Sequence, residues 1–208
     1  MSSVKLHKMV EEIDAKFAIE KEIKDAFESV DRELFVPMGF KNLAYRLDAL
    51  PMSGEQWISS PLTVAKMTHY LELDGVDKVL EIGCGSGYQA AILSKIVRRV
   101  FTIERIESLL DEAKERFNLL AINNIFTRFD DGQRGWQKYA PYERILFSAS
   151  AKEIPPSLFD QLQEGGILVA PITEGSMQII TRFYKKNGQI TSEAIESCTF
   201  VEVKDGVQ

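Results

Sequence analysis

The chain has 208 residues, with 25 basic and 31 acidic side chains and a net charge of −6. At roughly 150 residues per domain this is one domain with an elaboration, large enough to fold without disulfide or metal staples. The acidic balance excludes a protein that grips nucleic acid mainly through phosphates, and two cysteines with two histidines exclude a disulfide framework or a histidine-rich metal centre.

Residues 1–36 read as helical, because Val10, Ile13, Phe17, Ile23, Phe27 and Val30 recur among charged residues until Pro37 stops the pattern. The opening residues are charged and lack the apolar core of a signal peptide, so a cytoplasmic setting is expected. No run approaches the ~18 apolar residues of a membrane span. Residues 38–60 show no sustained period and are punctuated by Gly39, Pro51, Ser53 and Gly54; so long an irregular stretch in a compact chain is usually functional.

From there strands and helices alternate. Ser60-Pro61 supplies an N-cap and a first-turn proline for a helix through Leu71. Strands are expected at 78–82, 100–103, 125–129, 144–148 and 167–170, and helices at 88–97, 106–120 and 156–162. Residues 177–183 and 198–203 read as closing strands, with Asn187-Gly188 as a turn. The expectation is one α/β domain over 1–208 with a doubly wound sheet. It divides into an N-terminal helical extension (1–50), a cofactor-binding core (51–175) and antiparallel closing strands (176–208).

The segment VLEIGCGSGYQAA, 79–91, carries most of the functional signal. Gly83, Gly85 and Gly87 follow an apolar strand and open a helix, a turn that lets backbone amides approach a ligand. The same spacing also occurs in purely structural turns. Glu104 ends the next strand 21 residues after Gly83, near the offset at which a carboxylate accepts hydrogen bonds from ribose hydroxyls. Glu81, two residues before the loop, would repel a pyrophosphate but favours a sulfonium and an ammonium. Tyr88 also replaces the last glycine of a dinucleotide loop. The loop thus points to S-adenosylmethionine rather than NAD. Asp130-Asp131, at the end of the following strand, could accept from the adenine amino group, although Asp-Gly turns are common without a ligand.

With these motifs in place, the chain resembles the protein-L-isoaspartate (D-aspartate) O-methyltransferases, Rossmann-like enzymes dependent on S-adenosylmethionine. The resemblance rests on AFESVDRELFVP (26–37), LPMSGEQWISSPLTVAKM (50–67), VLEIGCGSGYQAAILS (79–94), DDGQRGWQKYAPYERIL (130–146) and EIPPSLFDQLQEGGILVAPI (153–172). It implies methyl transfer to the α-carboxylate of L-isoaspartyl residues in damaged proteins, whose ester then closes to a succinimide. It further implies Ser59 as the active-site serine. Ile58, Ser60 and Pro61 would border the cofactor together with the glycine loop, Glu104 and Asp130-Asp131. The implied partner is a damaged polypeptide, with no metal, nucleic acid or membrane, and the enzyme is expected to be a monomer.

The chain departs from the family pattern on the substrate side. Trp57 stands where threonine is usual, Ser60 where glutamine or alanine is frequent, and Leu47 where an aspartate is common, with Asp48 one residue on. Val201-Glu202-Val203-Lys204 replaces a Val-Pro-Leu segment. A methyltransferase of the same fold acting on another carboxylate, and a non-catalytic cofactor-binding module, therefore stand as alternatives. Trp136 reads as a packing residue, His69 as a packed or solvated one, and Arg98-Arg99 and Lys185-Lys186 as solvated faces.

Overall fold

The computed structural model describes residues 2–208. The helical opening is two helices, α1 (Ser2–Lys16) and α2 (Lys21–Ser29), followed by a 3-10 turn at Arg32–Phe35. The break divides the segment that the sequence marks as helical over 1–36. Asp14 holds it open, accepting from the Ile19 amide at 3.2 Å and from Lys24 Nζ at 2.7 Å. The six-residue gap between Phe17 and Ile23, too wide for one helical stripe, is the trace of this break.

Residues 38–60, expected to be irregular, contain a 3-10 turn (Met38–Leu43) and a small antiparallel hairpin, β1 (Leu50–Met52) with β2 (Gln56–Ile58). Val36, Ala44, Leu50 and Ile58 form a separate small core beneath it. The strands are three residues each, too short for alternation to register in the sequence.

After β2 come α3 (Pro61–Tyr70), β3 (Lys78–Ile82), α4 (Tyr88–Leu93), β4 (Arg99–Glu104), α5 (Glu107–Leu119) and β5 (Ile125–Phe129). The chain continues through β6 (Tyr142–Phe147), α6 (Pro156–Gln161), β7 (Leu162–Glu174), β8 (Met177–Lys186) and β9 (Gln189–Cys198). The main sheet has the order β5-β4-β3-β6-β7-β8-β9, parallel from β5 to β7 and antiparallel for β8 and β9. Strand order reverses between β3 and β6, so their carboxyl ends flank the crevice where ligands of such sheets bind.

Alternation along the strands divides the core. Val79, Val100 and Leu146 face the helices α1–α5, whereas Leu80, Phe101 and Ile145 face α6 and an aromatic group containing Trp136, Tyr139 and Tyr142. Trp136 packs edge-on against Phe101, 5.7 Å between centroids. His69 pairs with Glu20 at 2.8 Å on the protein's flank.

The closing strands need a correction. The last strand is Gln189–Cys198, joined to β8 by the Asn187-Gly188 turn, and not 198–203. Gln-Ile-Thr-Ser-Glu-Ala is too polar to read as a strand in isolation, but it lies at the sheet edge, where both faces are exposed. The apolar Phe200-Val201-Glu202-Val203 instead leaves the sheet as a strap, held by an isolated bridge between Ser150 and Glu202.

Candidate active site

An open cleft lies over the carboxyl ends of β3, β4 and β6. Its floor is the loop after β3. The Gly83 and Cys84 amides both donate to the Ile103 carbonyl, at 2.9 and 3.2 Å, which ties the loop to β4. Gly83 and Gly85 face the cleft, but Gly87 does not. Gly87 caps α4 with φ +86°, and a Cβ there would stand 2.7 Å from Phe117 Cζ. Its glycine is required by α5 packing against the loop.

Glu104 stands at the end of β4, buried and on the cleft wall. Its Oε2 accepts from the Gly85 amide at 2.8 Å, and its Oε1 from the Arg105 and Ile106 amides at 2.8 and 2.9 Å. A carboxylate has about four acceptor sites, so Oε2 retains one for a ligand hydroxyl. Glu81, in contrast, is wholly buried beneath the loop and does not reach the cleft surface. Thr102 Oγ1 donates to its Oε2 at 2.5 Å, and the Ser148 hydroxyl lies 3.4 Å from its Oε1. Burial pushes the Glu81 carboxyl up to about 8, against the opposing effect of those two hydrogen bonds. Burial also raises the Cys84 thiol well above its usual range, which leaves it inert.

The second wall is the β2–α3 junction. Ile58 and Ser59 line the cleft directly. Ser60 and Pro61 do not; Ser60 Oγ accepts from the Thr63 amide at 3.0 Å and Pro61 occupies the first turn of α3. Their effect is to start the helix so that Thr63, Val64 and Met67 reach the cleft. Trp57 stands at the rim, 55% exposed.

Asp130 and Asp131 are engaged elsewhere. Asp130 pairs with Arg128 and accepts from the Asp131 amide at 2.8 Å. Asp131 Oδ1 accepts from the Gln133 amide at 3.0 Å, and its Oδ2 from the Gly206 amide at 2.9 Å. It is the backbone of the next residue, Gly132, that meets the cleft.

The resemblance marks residues 201–204 as lying on the substrate side but does not show that this segment forms the roof. Residues 200–204 of the strap cover the cleft. The strap is fixed on one side by paired bonds between Ser150 and residues 201 and 203, each 2.7 Å. On the other side Gln208 donates to the Arg105 carbonyl at 2.7 Å. The apolar alternation was visible, but one bridge is all the sheet pairing it makes. Ser148 and Ala149 also line the site, and their place after a parallel strand was a readable signal.

The family profile described as protein-L-isoaspartate(D-aspartate) O-methyltransferase matches residues 4–208. A protein-L-isoaspartate O-methyltransferase of Helicobacter pylori strain J99 is 59% identical over 209 residues, covering 100% of both chains. One from Dictyoglomus turgidum is 44% identical over 184 residues, 88% of this chain and 84% of that protein. Among solved structures, a protein-L-isoaspartate O-methyltransferase superposes with a TM-score of 0.86 at 27% identity, covering 96% of this chain; this chain spans 66% of that one. A Plasmodium falciparum structure in complex with S-adenosyl-L-homocysteine has a TM-score of 0.85 at 23% identity, covering 96% of this chain and 98% of its own, a likeness of fold.

Proposed function

The chain belongs to the protein-L-isoaspartate(D-aspartate) O-methyltransferase family and is an S-adenosylmethionine-dependent carboxyl methyltransferase; we propose that Ser59, the Gly83–Gly85 loop and Glu104 are its working parts. The observation that carries the assignment is Glu104, a buried carboxylate locked by three amides with one acceptor site left over the cleft. That suits a ribose hydroxyl. Glu81 beneath the same loop is protonated while the cleft is empty, and a cationic nucleoside above it would favour the ionised form where a phosphate would not. The residues therefore fit S-adenosylmethionine, which when bound supplies an activated methyl group.

The protein's own contribution is orientation. An isoaspartyl α-carboxylate, with an ordinary pKa near ~4, is ionised at neutral pH and needs no general base. The Ser59 hydroxyl, on the cleft wall built by the β2–α3 junction, donates to one carboxylate oxygen and aims the other along the line of transfer. Such alignment supplies much of the rate in a displacement. Once the ester leaves the cleft, the following backbone nitrogen attacks its carbonyl and expels methanol. The succinimide then hydrolyses at either carbonyl, returning part of the product as normal aspartate.

The acceptor is an isoaspartyl residue in a damaged protein, and Trp57 and the strap stand where the flanking peptide would lie. We further propose a monomer acting in the cytoplasm, without nucleic acid or membrane; no helix of the described residues is long and apolar enough to cross a membrane. Incubation with methyl-labelled cofactor and an isoaspartyl peptide, beside its aspartyl twin, tests the reading. Labelling of the isoaspartyl peptide alone supports it. Equal labelling of both would replace isoaspartate with a broader carboxylate specificity, and cofactor binding without turnover would leave a binding module.

A further inference from the structure

Arg32 is a charged side chain with no exposure at all. It belongs to the 3-10 turn after α2, and among the described residues no carboxylate forms an ion pair with it: the nearby Asp48 carboxylate pairs with Arg46 instead, at 2.9 Å. Four of its five N–H groups go to backbone carbonyls. Nη1 donates to Ala44 at 2.7 Å and Arg46 at 3.3 Å, and Nη2 donates to Asp48 and Ser59, each at 3.1 Å. Its guanidinium lies 5.7 Å from the centre of the Tyr88 ring, and Tyr88 lines the cleft. A buried cation is costly unless its donors are satisfied, so its four acceptors are constrained in turn.

These acceptors lie on a part of the chain that the main sheet does not hold. The β1–β2 hairpin forms a sheet of its own, and residues 44–48 contain no regular element. Ser59 follows this hairpin directly. On its far side Ser60 is fixed by capping α3. The Arg32 bond to the carbonyl of Ser59 itself joins the hairpin's end to the body of the protein.

We propose that Arg32 is the positioning residue of the methyl-transfer site: its guanidinium gathers the carbonyls of residues 44, 46, 48 and 59 and thereby fixes where the Ser59 hydroxyl stands on the cleft wall. The inference rests on reading Ser59 as the group that orients the substrate carboxylate. Arg32 touches no reacting atom and acts only through Ser59. Lysine cannot replace it, because three donors on one nitrogen cannot span four carbonyls set around a planar fork.

The test uses the full chain carrying Arg32→Lys, Ser59→Ala or both, with turnover on an isoaspartyl peptide, cofactor Kd and amide exchange as readouts. Displacement of an orienting group by about 1 Å can cost ~100-fold, so Arg32→Lys should lower kcat at least ~10-fold while cofactor Kd changes less than ~2-fold. In the Ser59→Ala background the same change should cost under ~3-fold, because the group it acts through is gone. Fully additive losses would overturn the proposal. Amide exchange over residues 56–60 should rise in Arg32→Lys while the Gly83 loop stays protected; unchanged exchange there would also overturn it. This exchange readout decides the role of Arg32 even if the wild type labels no isoaspartyl peptide, a result that would sink the functional reading separately. Should Arg32→Lys not fold, Arg32→Ala with added guanidinium takes its place. Recovery of fold and turnover together supports the role, and recovery of fold alone refutes it.

Discussion

Gly85 and Glu104 are joined by a hydrogen bond of 2.8 Å from the loop amide to Oε2, which ties the glycine loop to the carboxylate at the end of β4. Glu104→Ala removes the acceptor of three amides and the proposed ribose-binding carboxylate together. Cofactor affinity should fall by about 1–3 kcal/mol, the scale for hydrogen bonds to a charged group. Glu104→Gln retains one acceptor oxygen and should lie between the two. Titration calorimetry reads both, and an unchanged Kd for Glu104→Ala would remove the ribose role.

Glu81 makes the cofactor-free protein sensitive to pH. Its carboxyl is raised in the folded state from the ordinary 4.5 to about 8, so between these values the folded chain holds a proton that the unfolded chain has released. Stability therefore falls as pH rises through this window, the reverse of a salt-bridged carboxylate. A cation in the cleft favours the ionised form, so cofactor binding should release a proton and tighten with rising pH. Thermal melts from pH 5 to pH 8, with and without cofactor, test this. The slope should flatten in Glu81→Gln, which stays neutral throughout.

Gly87→Ala should destabilise the protein without touching the cleft. The positive φ costs an L-residue about 1–2 kcal/mol, and crowding Phe117 adds about 1–3 kcal/mol. A lower melting temperature with cofactor affinity weakened only in proportion to unfolding is the expected outcome. A direct loss of affinity at a temperature where the variant is fully folded would make Gly87 part of the binding surface.

Much of this site was legible because it depends on local chemistry. The parallel core, the glycine loop, Glu104 and the Ser60-Pro61 helix start all follow from residue type and spacing. Residues 201–204 were legible as a substrate-side segment but their course was not, since Phe200 to Val203 alternate like a strand and long-range pairing with Ser150 and Gln178 takes them over the cleft. Arg32 was hidden for the same reason: its acceptors are backbone carbonyls 12 to 27 residues away, which carry no side-chain signature. Glu81 and Asp131 had the right residue types, but burial turned one beneath the loop and backbone donors engaged the other.

The bonds of Asp131 link it to the cleft through the strap rather than through a direct ligand contact. Its Oδ1 caps the turn at Gly132 and its Oδ2 holds the Gly206 amide, so one carboxylate fastens the strap to the end of β5. Asp131→Asn preserves size and keeps one acceptor, but its amide group must then face either the Gln133 or the Gly206 N–H. Losing that bond leaves a donor unmatched, at about 1–3 kcal/mol. If the strap is the link, amide exchange over residues 199–208 should rise and cofactor dissociation should quicken together. Adenosine alone should lose no more affinity than the intact cofactor. Were Asp131 instead to contact adenine directly, affinity for adenosine would fall while exchange in the strap stayed at the wild-type rate.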